Sequence, residues 1–225
     1  MNFSKSPHLI QKMFDTIAER YDFNNNLISL GMHKKIKKLA VKKLKLNENS
    51  KILDLCTGTG DIALYLKKEF PSSDITAIDF SHEMISIAKN KSKNYDIKFL
   101  QADCISLPFD NDSFDVCTIS FGLRNIENQN SALKEIYRVL KKDGIFMHLD
   151  FGKSSNFADK IFDFIVPPLV KIFYKNSIPY DYLLESKKTF KSPDELIKTF
   201  ENYGFKFERR HDFLFGVISS QIMKK

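Results

Sequence analysis

The chain of 225 residues, 43% hydrophobic and 28% charged, suits one substantial globular domain and leaves no room for two. Its formal charge of +7 is concentrated at the start, where residues 1–50 carry ten Lys/Arg against four Asp/Glu (Asp15, Glu19, Asp22 and Glu48). Such a segment favours an anionic surface, nucleic acid or membrane, unless it is simply a solvated helix face. Three cysteines (Cys56, Cys104 and Cys117) are too few and too dispersed for a disulfide framework or a zinc site, so no metal is expected. The first eight residues have no apolar signal core, and the most apolar window, 161–174, is short and interrupted by Asp163, Pro167, Pro168 and Lys171, which excludes a bilayer span there.

In chain order, the first fifty residues read as two helices, the second of which, 34–46, is the more strongly amphipathic. Residues 51–56 form a short apolar run ending in a glycine turn, the pattern of a buried strand. Ile62, Leu64, Tyr65 and Leu66 give 61–70 a helical pattern. A second strand falls at 75–79, after which Ser81 is suited to cap a helix carrying Met84, Ile85, Ile87 and Ala88. Strands are expected at 97–101 and 114–120. Ala132, Leu133, Ile136, Val139 and Leu140 then trace one apolar helix face, broken by Asp143-Gly144 before a fifth strand at 145–151. Beyond it, 157–175 is aromatic-rich and helical up to Pro167. Pro193-Asp194-Glu195 opens a helix that ends near Gly204, and strands at 205–210 and 213–223 close the chain. Alternating strands and helices imply a parallel sheet with right-handed crossovers.

Such sheets bind ligands at the carboxyl ends of their strands. Asp54, Asp79 and Asp103 fall there, beside the turn Gly58-Thr59-Gly60, where glycines let a ligand approach the backbone. Gly58, Gly60 and Ala63 also satisfy a dinucleotide-binding pattern, in which Asp79 would hold a ribose. Asp54, four residues before the first glycine, separates the two readings. Its charge would repel a pyrophosphate but suits a ligand with an amine and a sulfonium and no phosphate. S-adenosylmethionine is such a ligand, with Asp79 accepting from the ribose hydroxyls and Asp103 near the adenine amine. Asp54, Asp61 and Asp103 each also have an ordinary use as turn or cap residues.

At this point the residues carry a resemblance. The run Ile52-Leu53-Asp54-Leu55-Cys56-Thr57-Gly58-Thr59-Gly60-Asp61 is similar to motif I of class I methyltransferases. Phe14-Asp15-Thr16-Ile17-Ala18-Glu19-Arg20-Tyr21-Asp22 with Asn25, Leu30-Gly31 and His33 resembles the N-terminal signature of the ubiquinone/menaquinone biosynthesis C-methyltransferase family. The more specific block Phe121-Gly122-Leu123-Arg124-Asn125, with Tyr137-Arg138-Val139-Leu140-Lys141, Asp150-Phe151-Gly152-Lys153, Tyr182-Leu183 with Ser186, and Gly204-Phe205, extends the likeness almost to the C-terminus. Three departures stand out: Lys142-Asp143-Gly144 replaces the usual Pro-Gly-Gly turn, no tryptophan follows His33 (Ile36 lies nearby), and Cys56 replaces an alanine.

The resemblance implies a Rossmann-like class I methyltransferase fold, with a seven-stranded mostly parallel sheet, an antiparallel last strand and helices on both faces. It implies one domain over 1–225: an N-terminal helical lid (1–50), a cofactor-binding core (51–151) and substrate-side helices with closing strands (152–225). Cofactor contacts are implied at Thr59, Asp79, Asp103, Cys104 and Ser120, joining Asp54, Gly58 and Gly60 from the residue-level argument. The implied reaction is methylation of a ring carbon on a lipophilic polyprenyl quinol, a naphthoquinol such as demethylmenaquinol or a benzoquinol. Arg124 is the candidate for phenolate stabilisation, unless it forms a structural ion pair. Asp150 and His148 are candidate bases on one face of strand five, although His148 also suits a satisfied core histidine. Tyr21, Asp22, Asn125 and Tyr182 are candidate substrate contacts. The expected setting is cytoplasmic, with peripheral contact at the inner membrane surface through the basic helix and the apolar window 157–174, no nucleic acid, and room for self-association. An RNA methyltransferase is the main enzymatic alternative, though no Asn-Pro-Pro-aromatic motif is present. A non-catalytic assembly subunit is the alternative from another class.

Overall fold

A computed structural model describes residues 6–29, 31–152, 182, 185–187 and 189–225. The expected helix within 157–175, the apolar window, Lys153 and Leu183 lie outside them. The elements are α1 (Pro7–Ser29), α2 (Met32–Lys42), β1 (Lys51–Leu55), α3 (Asp61–Glu69), β2 (Asp74–Asp79), α4 (His82–Lys91), β3 (Lys98–Gln101), β4 (Phe114–Ser120), α5 (Gln129–Val139), β5 (Leu140–Phe151), α6 (Pro193–Glu201), β6 (Lys206–Phe213) and β7 (Ile218–Lys224).

Seven strands form one sheet in the order β3-β2-β1-β4-β5-β7-β6, with β7 antiparallel to both neighbours and the other described pairs parallel. The sheet order reverses between β1 and β4, where the connections diverge and a crevice opens at the carboxyl edge. Side-chain alternation sends neighbouring residues into different layers. Leu53, Leu55, Cys117, Ile119 and Phe146 pack with Leu133 and Ile136 of α5 and Leu196 and Phe200 of α6. Ile52, Ile75, Val116, Met147 and Leu149 pack with Ile36 and Val41 of α2 and Ile62 and Leu66 of α3. Both faces of the central strands are therefore dry, which explains their near-continuous apolar sequences.

Several boundaries differ from the sequence reading: the second helix, expected at 34–46, spans Met32–Lys42, and β6, expected at 205–210, runs on to Phe213. Leu140, expected on the helix face, begins β5 and pairs with Phe114; the register then shifts before Val116 pairs with Ile145. Asp143, at φ +62°, carries the irregularity between them. The last two strands are separated by a 3-10 turn at Leu214–Gly216, so β7 starts at Ile218 rather than at 213.

Candidate functional site

The turn after β1 winds through three residues with positive φ: Cys56 (51°), Gly58 (56°) and Gly60 (81°). Gly60 is confined on its outer side, where an added Cβ would lie 3.0 Å from Ala88 Cβ, whereas a Cβ on Gly58 would meet no atom within 4 Å. The Gly58 N–H instead donates to Asp79 Oδ2 at 2.8 Å, and Ser81 N donates to Oδ1 of the same carboxylate at 2.9 Å. The Phe80 N–H is a third backbone donor to this carboxylate. Burial pushes the Asp79 carboxyl above the usual range, against the pull of these backbone donors.

Asp54 holds this turn from beneath. Its oxygens accept from Thr57 and Thr118, each at 2.6 Å, joining β1, the turn and β4. Burial raises its carboxyl to about 6 despite both hydroxyl donors.

A cleft partly open to solvent lies above the turn. α1 contributes Phe14 and Tyr21 to its wall, the segment after β2 contributes Phe80 and Ser81, and the segment after β4 contributes Phe121 to Asn128 except Leu123 and Arg124. Among the sequence-derived cofactor candidates, Gly58, Asp79, Asp103, Cys104 and Ser120 line the cleft, while Asp54, Thr59 and Gly60 do not. Of the substrate candidates, Tyr21 and Asn125 line it; Asp22, Arg124 and Tyr182 do not. Sequence reasoning did not single out Phe14, Phe80, Met84 and Glu127 as wall residues; Phe14 and Phe80 share the wall only because folding brings the start of α1 over β2. Ser81 was legible only as a cap, a role it does fill by accepting from Met84 N at 3.1 Å.

The wall chemistry fits S-adenosylmethionine. The described lining contains the acids Asp79, Asp103 and Glu127 and no lysine or arginine, so a pyrophosphate would find no counter-charge there. Ser120 Oγ is buried with no hydrogen-bond partner among the described residues, and Gly58 leaves open space at the turn. Cys56 and Cys104 meet in the wall; their mutual hydrogen bond and burial hold the Cys56 thiol well above its ordinary range, so it is protonated. Gly122 is required beside them, since a Cβ there would lie 2.5 Å from Cys56 Cβ.

Next to the cleft lies a buried polar cluster. Arg124 Nη1 donates to Asp150 Oδ1 at 2.6 Å and to the Phe121 carbonyl at 3.0 Å. Its guanidinium stands over the rings of Phe121 and Phe151, 5.8 and 5.2 Å from their centroids. Asn125 Nδ2 donates to the same Phe121 carbonyl at 3.2 Å, and the Tyr182 hydroxyl donates to Asn125 Oδ1 at 3.1 Å. His148 Nδ1 lies 2.6 Å from Gln221 Oε1, and burial depresses its basicity, keeping the ring neutral. Arg124 Nε, Asp150 Oδ2 and His148 Nε2 are buried without a hydrogen-bond partner among the described residues. Thus Arg124 does form an ion pair, yet three polar atoms of its cluster are left unsatisfied, an arrangement with a cost of about 1–3 kcal/mol per group unless a ligand or water completes it. His148 and Asp150 share one sheet face, with Leu149 in the opposite layer.

The fold and this phosphate-averse cleft define a class I S-adenosylmethionine-dependent methyltransferase. Solved structures of such enzymes from Thermotoga maritima (TM-score 0.69, 20% identity, 96% of this chain and 99% of that one) and Aquifex aeolicus (TM-score 0.65, 17% identity, 97% and 98%) have the same fold. The chain belongs to the ubiE/COQ5 methyltransferase family, which it matches over residues 1–225. It is 42% identical over 218 residues to the ubiquinone/menaquinone biosynthesis C-methyltransferase UbiE of Geotalea daltonii, covering 92% of each chain. It is also 34% identical over 222 residues to the demethylmenaquinone methyltransferase of Chlamydia felis, covering 96% of each.

Proposed function

We propose that this methyltransferase acts on a ring carbon of a polyprenylated quinol, converting demethylmenaquinol to menaquinol. The names of its full-length relatives support this substrate class. The structural observation that carries the reading is the buried Arg124–Asp150 pair with its unsatisfied Nε and Oδ2, directly behind the cleft residues Phe121 and Asn125. When bound, S-adenosylmethionine supplies an electrophilic methyl group.

The protein's task is to make the ring carbon nucleophilic and to align it. Arg124 stabilises the phenolate left when a quinol hydroxyl loses its proton. The electron-rich ring carbon would take the methyl from the bound cofactor, and the ring proton displaced by it would pass to a base of the protein, restoring aromaticity. Asp150, with its free Oδ2, is better suited as that base than His148, whose imidazole is committed to Gln221. Tyr182 and Asn125 orient the ring. Asp79 holds the ribose, Asp103 the adenine amine, and Ser120 adds a hydroxyl. Residues 1–50 serve as a lid over the core.

A benzoquinol of the ubiquinone pathway is the second reading, favoured by the pathway name of the Geotalea relative. Because either substrate resides in a bilayer, the reading includes peripheral contact at the inner membrane surface from the cytoplasmic side. An assay with short-tail demethylmenaquinol and the matching benzoquinol precursor separates the two. In the same assay Arg124→Ala should lower turnover at least about a hundredfold while calorimetric affinity for S-adenosylmethionine stays near wild type. A normal turnover in that variant would remove Arg124 from the reaction.

A further inference from the structure

α1 presents an energetic puzzle. It runs for 23 residues, yet Ala18 is its sole buried residue, and Leu9 and Phe23 are 53% and 69% exposed. Ile10, Met13, Phe14, Ile17 and Tyr21 are half-buried, so apolar burial supplies only part of its docking. It nevertheless forms one wall of the cleft, through Pro7, Ile10, Gln11, Phe14 and Tyr21. Polar contacts add to this: besides the Ser29–His33 bond to α2 at 2.7 Å, four of them reach segments around the cofactor turn. Gln11 Nε2 donates to the Phe80 carbonyl at 3.3 Å, and the Ser81 hydroxyl donates to Asp15. Asp22 receives two donors: Thr59 Oγ1 at 2.6 Å and Lys91 Nζ at 2.7 Å.

Lys91 is the centre of this arrangement. It lies in the last turn of α4, where a cation also offsets the helix dipole. Its ammonium reaches Asp22 of α1, Thr59 of the turn at 3.3 Å, and Asp61 at the start of α3. Lys37 of α2 completes the set by donating to the other Asp61 oxygen at 3.1 Å. The two lysines hold the Asp61 carboxyl far below the usual carboxylate range, despite its burial. Without Lys91, Asp22 and Asp61 would face each other as two carboxylates with Lys37 paired to only one of them. The end of α1 would then be repelled from the turn rather than drawn to it.

We propose that Lys91 is a positioning residue for the cofactor, acting through Asp22 to clasp α1 over the cleft and so to control cofactor exchange. The inference rests on the assignment of the cleft to S-adenosylmethionine. The clasp sets how long the site stays closed, and it touches none of the reacting atoms. Its side chains are only partly buried (24% exposure for Lys91, 29% for Asp22), which keeps it weak enough to open in each catalytic cycle.

The test uses the full chain with Lys91→Met and the charge-conserving Lys91→Arg. In Lys91→Met, amide hydrogen exchange of residues 7–29 should rise about tenfold without cofactor, while β1 and β4 keep their protection. The dissociation rate of S-adenosylmethionine and its KM should rise by a similar factor, with kcat at saturating cofactor within about twofold of wild type. Lys91→Arg should restore most of the protection and the slow dissociation. Unchanged exchange in α1 of the methionine variant would overturn the clasp, as would a lowered kcat with unchanged KM. If Lys91→Met does not fold, Asp22→Asn reports the same exchange with the Lys91–Asp61 pair intact. Failure of the wild-type protein to bind S-adenosylmethionine in a calorimeter would instead overturn the cleft assignment on which the clasp rests, whereas the exchange readout tests the clasp without cofactor.

Discussion

At the scale of single residues, Asp54 shows how a buried carboxyl can brace a turn at the expense of stability. Its carboxyl is buried and titrates near 6 in the folded chain, against roughly 3.9 when unfolded. A carboxyl raised in this way favours the folded state below its unfolded value, and that contribution is lost as pH rises through 6. The two-unit difference corresponds to about 3 kcal/mol. Asp54→Asn should therefore become progressively more stable relative to wild type between pH 4 and 6, with a constant difference above pH 7. Denaturant melts of both proteins across that range check this; parallel curves would mean that Asp54 titrates normally. Asp61 is the opposite case, since its depressed carboxyl adds stability above pH 4 that is lost on further acidification. Sequence position alone marked both as acids beside a glycine turn. It could not reveal that Asp54 turns inward to Thr118 as well as to the nearby Thr57 while Asp61 turns to two lysines, because Thr118, Lys37 and Lys91 lie 24 to 64 residues away.

At the scale of elements, local signals were sufficient wherever the determinant was local. Ser81 and Ser192 both cap helices, and α6 opens with a reciprocal capping box in which Glu195 Oε2 accepts from Ser192 N at 2.7 Å. Ser192→Ala should cost about 1 kcal/mol and lower Tm by roughly 2–4 °C, measurable by calorimetry; no change would mean that packing of Leu196 and Phe200 alone fixes the helix start. The misplaced boundary at Leu140 has a different origin. Its apolar spacing fits the α5 face, but it is buried in the same cluster as Val139 while hydrogen-bonded as sheet, a choice made by pairing with Phe114. Periodicity reports which side of an element is dry and says little about where the backbone changes its partners.

At the scale of the whole molecule, charge and exposed apolar side chains are arranged together. The outward arc of α2 carries Lys35, Lys38, Lys42 and Lys43 around Leu39, which is 48% exposed, and Met32, at 39%. The turn between β6 and β7 packs Phe213 and Leu214 on the same apolar cluster as α2 and leaves Phe215 86% exposed at the carboxyl edge of β5. No helix among the described residues is long and apolar enough to cross a membrane. Flotation should carry the protein with phosphatidylglycerol-containing vesicles at low salt and release it as salt rises, with little binding to phosphatidylcholine alone. Absence of flotation at low salt would remove the membrane from the proposed function without touching the chemistry.

The sequence by itself determined the alternation of strands and helices, the glycine turn with its acids, and, through the Phe121-to-Asn125 block, the family. These are contiguous patterns, and local chain chemistry dictates them. Tertiary structure alone decided which of those residues face the cleft. Thr118 of β4 donates to Asp54, Thr59 donates to Asp22 of α1, Arg124 is joined to Asp150, Gln221 takes up one side of His148, and Lys91 draws α1 toward Thr59. Each of these contacts joins side chains from different elements, and a buried polar atom is satisfied by whatever group the packing brings within about 3 Å. That proximity is a property of the folded sheet order, which no run of neighbouring residues encodes.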